Sequence, residues 1–459
     1  MNILCNLPLE CFEPREALGH RLVTYGPPDR MWIAGTFFPF DVAFDPARGS
    51  IHELLARLPS DFTPDLLLLW WPDQEPLPEQ LEECPCPVVG VVSDYNLTLQ
   101  HHVGLWPFFD VVLLDRPGVP LFQRLGFTDV REFCQYSFKA PWHYPHPGER
   151  RDIDIAFCGN LNPRVQRERM PWIERLRRLE ERGVSVAVAS GVHGADYGRL
   201  LSRAKLGFNR SIRGEANLRA FEVPACGAVL LNERDNTEIR DFFSPGEECA
   251  LYGEDDFEDV VLELLRDAPR RERLARAGYE RVQREHRMRH RLDTLEKLLQ
   301  RPGPGRPAST PAERALGRGT AMLSTWARGA PALGGLLEAA RLAPDDPRPL
   351  NALALARLYC SDDDSANSAL ELLQRARALA PAYLPAIQNL VQVLETAGHA
   401  ELAQRLRDDL EQRHADVRDW RDVDGPVFPL GFSESAIQCA AALRTAVEAG
   451  TPSAFALHT

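Results

Sequence analysis

The stretch KLGFNRSIRGEANLRAFEVPACGAVLL, from Lys205 to Leu231, decides the fold. Its apolar start predicts a strand that ends near Asn209, and a polar loop then leads to a short helix that begins around Asn217. A second strand starts after Gly227, where glycine permits a helix stop. In such a strand–loop–helix–strand unit the helix N-terminus points unpaired N–H groups at the carboxyl edge of the sheet, where phosphate binds.

The charged side chains of this unit suit a diphosphate and its ribose. Lys205 and Arg219 carry the positive charge that would neutralise a diphosphate, and Glu222 would accept hydrogen bonds from two ribose hydroxyls. Lys205 and Glu222 also have structural interpretations, as an exposed strand-edge charge and as a charge near a helix start. Arg219 has one as well, because Glu215 lies four residues before it on the same helical face.

Short apolar runs alternate with amphipathic stretches through the first 300 residues, which predicts an α/β fold with parallel sheets covered on both faces. The alternation pauses at residues 135–150, where prolines and aromatics cluster. We therefore expect two Rossmann-like domains, 1–150 and 151–300, that face each other across a cleft. One large doubly wound sheet is the alternative.

Proline and glycine crowd residues 301–311, which predicts a linker, and the chain after it is all-helical in pattern. Pro344 and Pro381 follow similar Ala-Arg-rich segments 37 residues apart, close to the period of about 34 of a tetratricopeptide repeat. Residues 312–459 thus resemble a tetratricopeptide-like domain with a tail. Such a domain would either dock a protein partner or serve as a stacked structural annex.

Composition limits the remaining possibilities. The 459 residues carry 53 basic and 66 acidic side chains, a net charge of −13, which argues against nucleic acid or an anionic membrane as partner. The only lysines are Lys139, Lys205 and Lys297. Because the chain is acidic as a whole, the positive charge of a phosphate site would have to be local. The sequence shows neither a signal peptide nor a run of about 18 apolar residues, and its cysteines are scattered, which together indicate a cytoplasmic protein without a membrane span.

Residues 205–295 resemble the C-terminal domain of group-1 glycosyltransferases, and within them the CgeB-like spore-maturation branch. The resemblance is carried by NLRAFEVPACG at 217–227, FSPGEE at 243–248, Ala277-Gly278 and Glu285-His286, and upstream by DIDIAFCGN at 152–160. It implies a GT-B fold, with the donor bound mainly by the second Rossmann-like domain and the acceptor mainly by the first.

The family resemblance also implies donor-binding residues. Group-1 enzymes carry two glutamates with seven residues between them; the second matches Glu222, whereas the first falls on Gly214, next to Glu215. Of the family's basic pair on the diphosphate, one carries over to Lys205. The position of the other is Asn160, so Arg164 in the next loop is the candidate. Four further positions complete the predicted donor site, namely Gly159, Asn160, Asn209 and Asn217, of which the last two serve otherwise as turn or cap residues.

A base for the acceptor hydroxyl is expected on the first domain, because inverting glycosyl transfer must remove that proton. Asp94, at the carboxyl end of the strand predicted at 87–93, and His101 are the candidates. Helix capping by Asp94 and a surface position for His101 are the alternatives. No carboxylate cluster for a divalent ion is evident, so we expect no metal or cofactor.

The sequence therefore predicts a metal-independent glycosyltransferase that moves a sugar from a nucleoside-diphosphate donor to the hydroxyl of a glycan, protein or small molecule. Two alternatives remain. One is a catalytically degenerate GT-B scaffold that binds proteins through its repeats, suggested by the absent first glutamate. The other is a GT-B sugar-nucleotide epimerase.

Overall fold

The structure is a computed structural model that describes residues 1–28, 32–33, 35–95, 102–162, 168–323, 325, 330–360 and 363–415. Its first half contains a seven-stranded parallel sheet in the order β5-β2-β1-β6-β7-β8-β9, beside a small antiparallel hairpin of β3 and β4. The strands are β1 Asn2–Cys5, β2 Arg21–Gly26, β3 Trp32–Ile33, β4 Thr36–Phe37, β5 Val42–Ala43, β6 Leu66–Trp70, β7 Val88–Val91, β8 Val111–Leu114 and β9 Val130–Glu132.

A second parallel sheet of five strands follows, in the order β11-β10-β12-β13-β14. Its strands are β10 Ile153–Cys158, β11 Val186–Ala189, β12 Ala204–Phe208, β13 Val229–Glu233 and β14 Ala250–Tyr252. The described residues thus form two separate parallel sheets, as predicted, instead of one doubly wound sheet. The arrangement fits a GT-B fold.

Helices cover both sheets and then form a region of their own. Those of the α/β part are α1 Ile51–Ala56, α2 Val119–Arg124, α3 Met170–Arg178, α4 Gly194–Arg203, α5 Leu218–Ala225, α6 Ile239–Phe242, α7 Phe257–Arg266, α8 Ala268–Glu285 and α9 Met288–Leu299. Those of the C-terminal region are α10 Pro311–Met322, α11 Ala330–Leu342, α12 Pro347–Cys360, α13 Asp363–Leu379, α14 Leu384–Thr396 and α15 Ala400–Arg413. Among the described residues, no helix is long and apolar enough to cross a bilayer.

Helix α9 returns from the second sheet to the first. Met288, Leu292 and Leu295 are buried in the core on one face of the first sheet, together with side chains of β1, β6 and β7. The predicted end of the second domain, at residue 300, therefore includes a helix that packs on the first unit. This crossing ties the two sheets together through apolar burial.

The proline- and glycine-rich stretch at 301–311 lies against the first unit. Its Arg306 donates from Nη2 to Asp110 Oδ2 at 2.7 Å and from Nη1 to the Leu81 carbonyl at 3.1 Å. The stretch lies between α9 and the helical region in sequence. It is nevertheless fixed to the surface that it crosses.

The C-terminal region is a succession of helix pairs. α12 and α14 begin at Pro347 and Leu384, which are 37 residues apart like the prolines that precede them. The polar stretch that follows α12 is helical from Asp363. The region is thus helical with a repeating period.

Helix α10 docks this region on the first unit through two glycines. A Cβ built on Gly317 would lie 1.9 Å from the Gly104 carbonyl oxygen, so the two backbones are in direct contact. Arg318 Nη2 pairs with Glu82 Oε2 at 3.0 Å beside this contact. Only glycine allows so close an approach.

Gly317→Ala is expected to lower the midpoint of thermal unfolding, because the methyl group must push α10 away from Gly104 at a cost of roughly 1–3 kcal/mol. Gly334→Ala in α11 is the matched control, since a Cβ there meets nothing within 4 Å. Its midpoint should stay or rise, as alanine favours a helix interior. Equal midpoints for the two variants would contradict the close contact.

Candidate active site

A cavity of about 580 Å³ lies between the two units, where the carboxyl ends of their strands face each other. The first unit contributes Ile33 and Asp94, which follows β7, and the segment 135–150 between the two sheets contributes Tyr136, Lys139, Trp142 and His143. The remaining wall comes from the second unit, from Cys158, Gly159, Asn160, Arg169, residues 190–194, Tyr197, Ile212, Glu215, Asn217, Leu218, Arg219 and Glu222. The carboxyl edge is where ligands bind in open α/β sheets.

Arg219, on the first turn of α5, is held in place on three sides. Its Nε and Nη2 donate to the Cys158 carbonyl at 3.1 and 2.7 Å, and its Nη1 donates to Asn209 Oδ1 at 2.9 Å. The guanidinium also stacks over the Phe157 ring, 4.4 Å from its centroid. Arg219 is therefore fixed at the end of β10 instead of pairing with Glu215.

Arg169 is a second cation at the same edge. It donates from Nη1 to the Asn160 carbonyl at 3.0 Å and lies 5.4 Å from the centroid of the Phe157 ring. Its Nε is buried without a hydrogen-bond partner among the residues that the structure describes. An unsatisfied buried donor is costly unless a ligand accepts from it.

The two guanidinium groups repel each other. Burial lowers the pKa of Arg169 to about 10, and the positive charge of Arg219 acts in the same direction. Arg169 therefore remains charged at neutral pH. The two guanidinium groups and the unpaired Arg169 Nε–H at the cavity form a site that suits an anion. A bound anion would reduce the repulsion between the arginines and accept a hydrogen bond from Nε.

Two buried glutamates line the cavity together with the arginines. Glu222 Oε1 lies 3.7 Å from both Lys139 Nζ and His143 Nδ1. Glu215 accepts from the Arg213 backbone N–H at 2.7 Å, and its burial raises the pKa of its carboxyl group against the opposing charge of Arg213. Glu215 thus brings to the cavity a carboxylate of the kind that position 214 lacks.

His143 stays neutral in this environment. Burial lowers its pKa to about 4, although Glu222 acts in the opposite direction. The backbone N–H of Lys139 donates to its Nδ1 at 3.0 Å, which places the ring proton on Nε2. The neighbouring Glu222 is therefore balanced by Lys139 and not by an imidazolium.

Asp94 stands on the opposite wall in a strained backbone conformation, with φ of 47°. Its side chain is open to the cavity, while the protein atoms around it desolvate the carboxyl group and raise its pKa. Arg213 opposes that rise, and the nearby Asp73 and Asp115 add to it. A carboxylate of this kind is suited to accept a proton.

The structure brings six predicted site residues to the cavity, namely Asp94, Gly159, Asn160, Asn217, Arg219 and Glu222. Gly159 has a reason to be glycine, since a Cβ there would lie 2.5 Å from Arg219 Nη2. Asn217 caps α5 and lines the cavity as well. Asn209 is fully buried behind the wall, where it positions Arg219. His101 and Arg164 lie outside the described residues.

Lys205 is not at the cavity. It lies at the amino end of β12, where its Nζ pairs with Asp154 Oδ1 at 2.6 Å at the amino end of β10. Gly159 at the other end of β10 is five residues away, about 16 Å along a strand. Lys205 is a strand-edge charge with a partner of its own.

Sequence reasoning missed Arg169 and the four cavity residues of the segment 135–150, which include Tyr136. Arg169 lies among other arginines just before α3, and nothing in that run distinguishes it. The stretch that marked the break between the units contains Lys139, Trp142 and His143.

Among the described residues, no group of three or more His, Cys, Asp or Glu side chains forms a metal-binding cluster.

Part of this chain is similar to a known protein family. A family model described as "Glycosyl transferase-like" matches residues 148–297. No curated protein sequence matches the chain significantly.

Solved structures with a similar arrangement have low sequence identity. They include an alpha-glucosyltransferase in complex with UDP and DNA, with 13% identity, 66% of this chain and 100% of that one covered, and a TM-score of 0.47. Anabaena HepE in complex with UDP has 12% identity, 65% and 100% coverage and a TM-score of 0.42. Sucrose-phosphate synthase from Thermosynechococcus elongatus has 12% identity, 65% and 99% coverage and a TM-score of 0.40. These values are too low to transfer a substrate.

The family match covers all the residues that form the anion site and both buried glutamates. Residues 148–297 are therefore similar to a glycosyl transferase-like family, and the similarity includes this part of the cavity wall.

Proposed function

We propose that the protein is a glycosyltransferase that moves a sugar from a nucleoside-diphosphate donor to an acceptor hydroxyl. The observation that carries the proposal is the pair of fixed, mutually repelling guanidinium groups of Arg169 and Arg219, inside a segment that matches a glycosyl transferase-like family. A diphosphate is the part of such a donor that needs two cations.

The same arginines would act in the chemical step. As the bond to the sugar breaks, the diphosphate leaves with increased negative charge, and cations already in position stabilise that charge without reorganisation. The backbone N–H groups at the start of α4, whose Gly194 lines the cavity, add to the positive potential.

The glutamates and Asp94 take the remaining roles. Glu222 and Glu215 accept hydrogen bonds from hydroxyls of the donor's ribose and sugar, for which carboxylates are the fitting acceptors. Asp94 faces them from the first unit, and its raised pKa suits a base that takes the proton of the acceptor hydroxyl. The acceptor therefore enters from the first unit.

The function is tested with labelled UDP-, GDP- and dTDP-sugars. Slow hydrolysis of one donor, or transfer to an added acceptor, supports the proposal. Formation of an epimer would instead support a sugar-nucleotide epimerase, and failure to bind any nucleotide would support a degenerate scaffold.

Arg169→Met and Arg219→Met should each weaken nucleoside-diphosphate binding roughly tenfold to a hundredfold, because each removes a charge-assisted hydrogen bond of roughly 1.5–3 kcal/mol. Lys205→Met is the matched control, since its partner Asp154 lies at the other end of the sheet. Calorimetric titration measures the affinity, and circular dichroism checks that each variant is folded. A loss with Lys205→Met equal to that with Arg169→Met would refute this assignment of the cations.

We also propose that no divalent metal takes part, so that the arginines alone hold the leaving group. Donor hydrolysis should then be unchanged after EDTA treatment and dialysis. Activity that falls on chelation and returns with Mg²⁺ or Mn²⁺ would show that a metal holds the diphosphate.

Finer relationships are proposals as well. The sequence likeness at 152–160 and 217–227 supports the CgeB-like branch, and the 37-residue period supports tetratricopeptide repeats. A cytoplasmic location is proposed from the scattered cysteines.

The repeats would bind a protein partner or a protein acceptor through exposed apolar residues such as Leu337, which is 48% exposed on α11. A protein captured by the full chain should be lost with Leu337→Glu and retained with Arg341→Glu four residues further on. Capture that is the same for both variants would count against docking on this face.

A further inference from the structure

Cys84 and Cys86 place two sulfur atoms side by side, away from the cavity. They flank Pro85 between a short 3-10 turn, Leu81–Glu83, and strand β7, and their Sγ atoms are 3.6 Å apart. Cys84 is 8% exposed and Cys86 is more open. A small oxidant can therefore reach the pair.

The surroundings favour a thiolate. The hydrogen bond between the two sulfurs lowers the pKa of Cys84 to about 7 and raises that of Cys86, and the positive charge of Arg306 acts to lower both. In most of the other described cysteines burial raises the pKa, for example to about 11 in Cys134. Reactivity towards oxidants follows the thiolate.

We propose that Cys84 and Cys86 form a redox-active dithiol that a peroxide oxidises to a disulfide, and that this oxidation loosens the attachment of the helical region. The thiolate of one cysteine attacks a peroxide oxygen, the O–O bond breaks, and a sulfenic acid and hydroxide result. The second sulfur then attacks the sulfenic sulfur, the S–O bond breaks, and water leaves. Overall the two thiols lose two protons and two electrons, and one hydrogen peroxide becomes two waters.

The link to the helical region is the Leu81 carbonyl. It accepts from the Cys84 backbone N–H at 3.1 Å and from Arg306 Nη1 at 3.1 Å. A disulfide bond is about 2.05 Å long, so the sulfur atoms must move about 1.5 Å closer than their present 3.6 Å. That movement pulls on the backbone at Cys84 and hence on the carbonyl that anchors Arg306.

The neighbouring Glu82 widens the effect. It pairs with Arg314 Nε at 3.2 Å and with Arg318 Nη2 at 3.0 Å, both on α10. Two attachments of the C-terminal region, one from the segment at 301–311 and one from α10, therefore meet on the three-residue turn that ends next to the dithiol. Strained disulfides are the readily reduced, regulatory kind.

The test uses the full chain, reduced and then treated with stoichiometric hydrogen peroxide. The peptide that contains both cysteines should lose two hydrogens in mass, and dithiothreitol should restore them. Cys84→Ser and Cys86→Ser should each abolish the loss, and Cys134→Ser, a partly buried cysteine elsewhere, should retain it. A peptide that stays reduced, or that is oxidised irreversibly, would overturn the dithiol.

Hydrogen–deuterium exchange reports the second half of the proposal. On oxidation, amides of α10 should exchange faster in the wild-type chain and at an unchanged rate in Cys86→Ser. A disulfide that forms without any change in α10 would overturn the coupling to the helical region.

Discussion

A buried ion pair joins the two units that form the walls of the cavity. Arg213 Nη2 lies 3.0 Å from Asp115 Oδ2, and both side chains are almost entirely buried. Asp115 follows β8 of the first sheet, and Arg213 lies in the loop after β12 of the second, so the pair joins the two carboxyl edges. A buried pair adds little net stability but is costly to break, which makes it suited to fixing one relative arrangement.

The same pair sets the position of a cavity glutamate. Glu215 accepts from the backbone N–H of Arg213, and its Oε1 lies 3.8 Å from the Arg213 guanidinium. Arg116, next to Asp115, extends the contact by donating from its backbone N–H to Glu238 Oε1 at 2.6 Å. The distance between Asp94 and the glutamates across the cavity thus depends on contacts between the two units.

The sequence predicted the parts of this arrangement that are local. The apolar runs became the internal strands β6, β7, β8 and β10. Strands β2, β5, β9 and β14 leave a weaker pattern in the sequence because they are short or carry polar residues. Asn217, Arg219 and Glu222 were found because they share one turn-helix motif. Lys205 was assigned to the phosphate although it begins its strand, and parallel strands present their carboxyl ends to a ligand. Arg169 comes to the cavity only through tertiary packing on Phe157, which no spacing reveals.

The net charge of the chain does not predict how charge is distributed within the cavity. A net charge of −13 led us to expect a locally positive donor site, yet the lining holds three basic and three acidic side chains. They are separated in space: the two arginines are fixed to the end of β10, and Asp94 lies on the other unit. A donor would therefore be oriented by the cavity, with its diphosphate at one wall and its reacting carbon towards the other.

Strand β8 connects this cavity to the helical region. Asp110 precedes the strand and accepts from Arg306, and Asp115 follows it and pairs with Arg213. The two carboxylates are five residues apart, about 16 Å along one strand that is paired on both sides, with β7 and with β9. The contacts of Arg306, Gly317 and Arg318 attach the C-terminal region to the unit that carries Asp94. Strand β8 thus lies between the attachment of the helical region at Asp110 and the interdomain ion pair at Asp115.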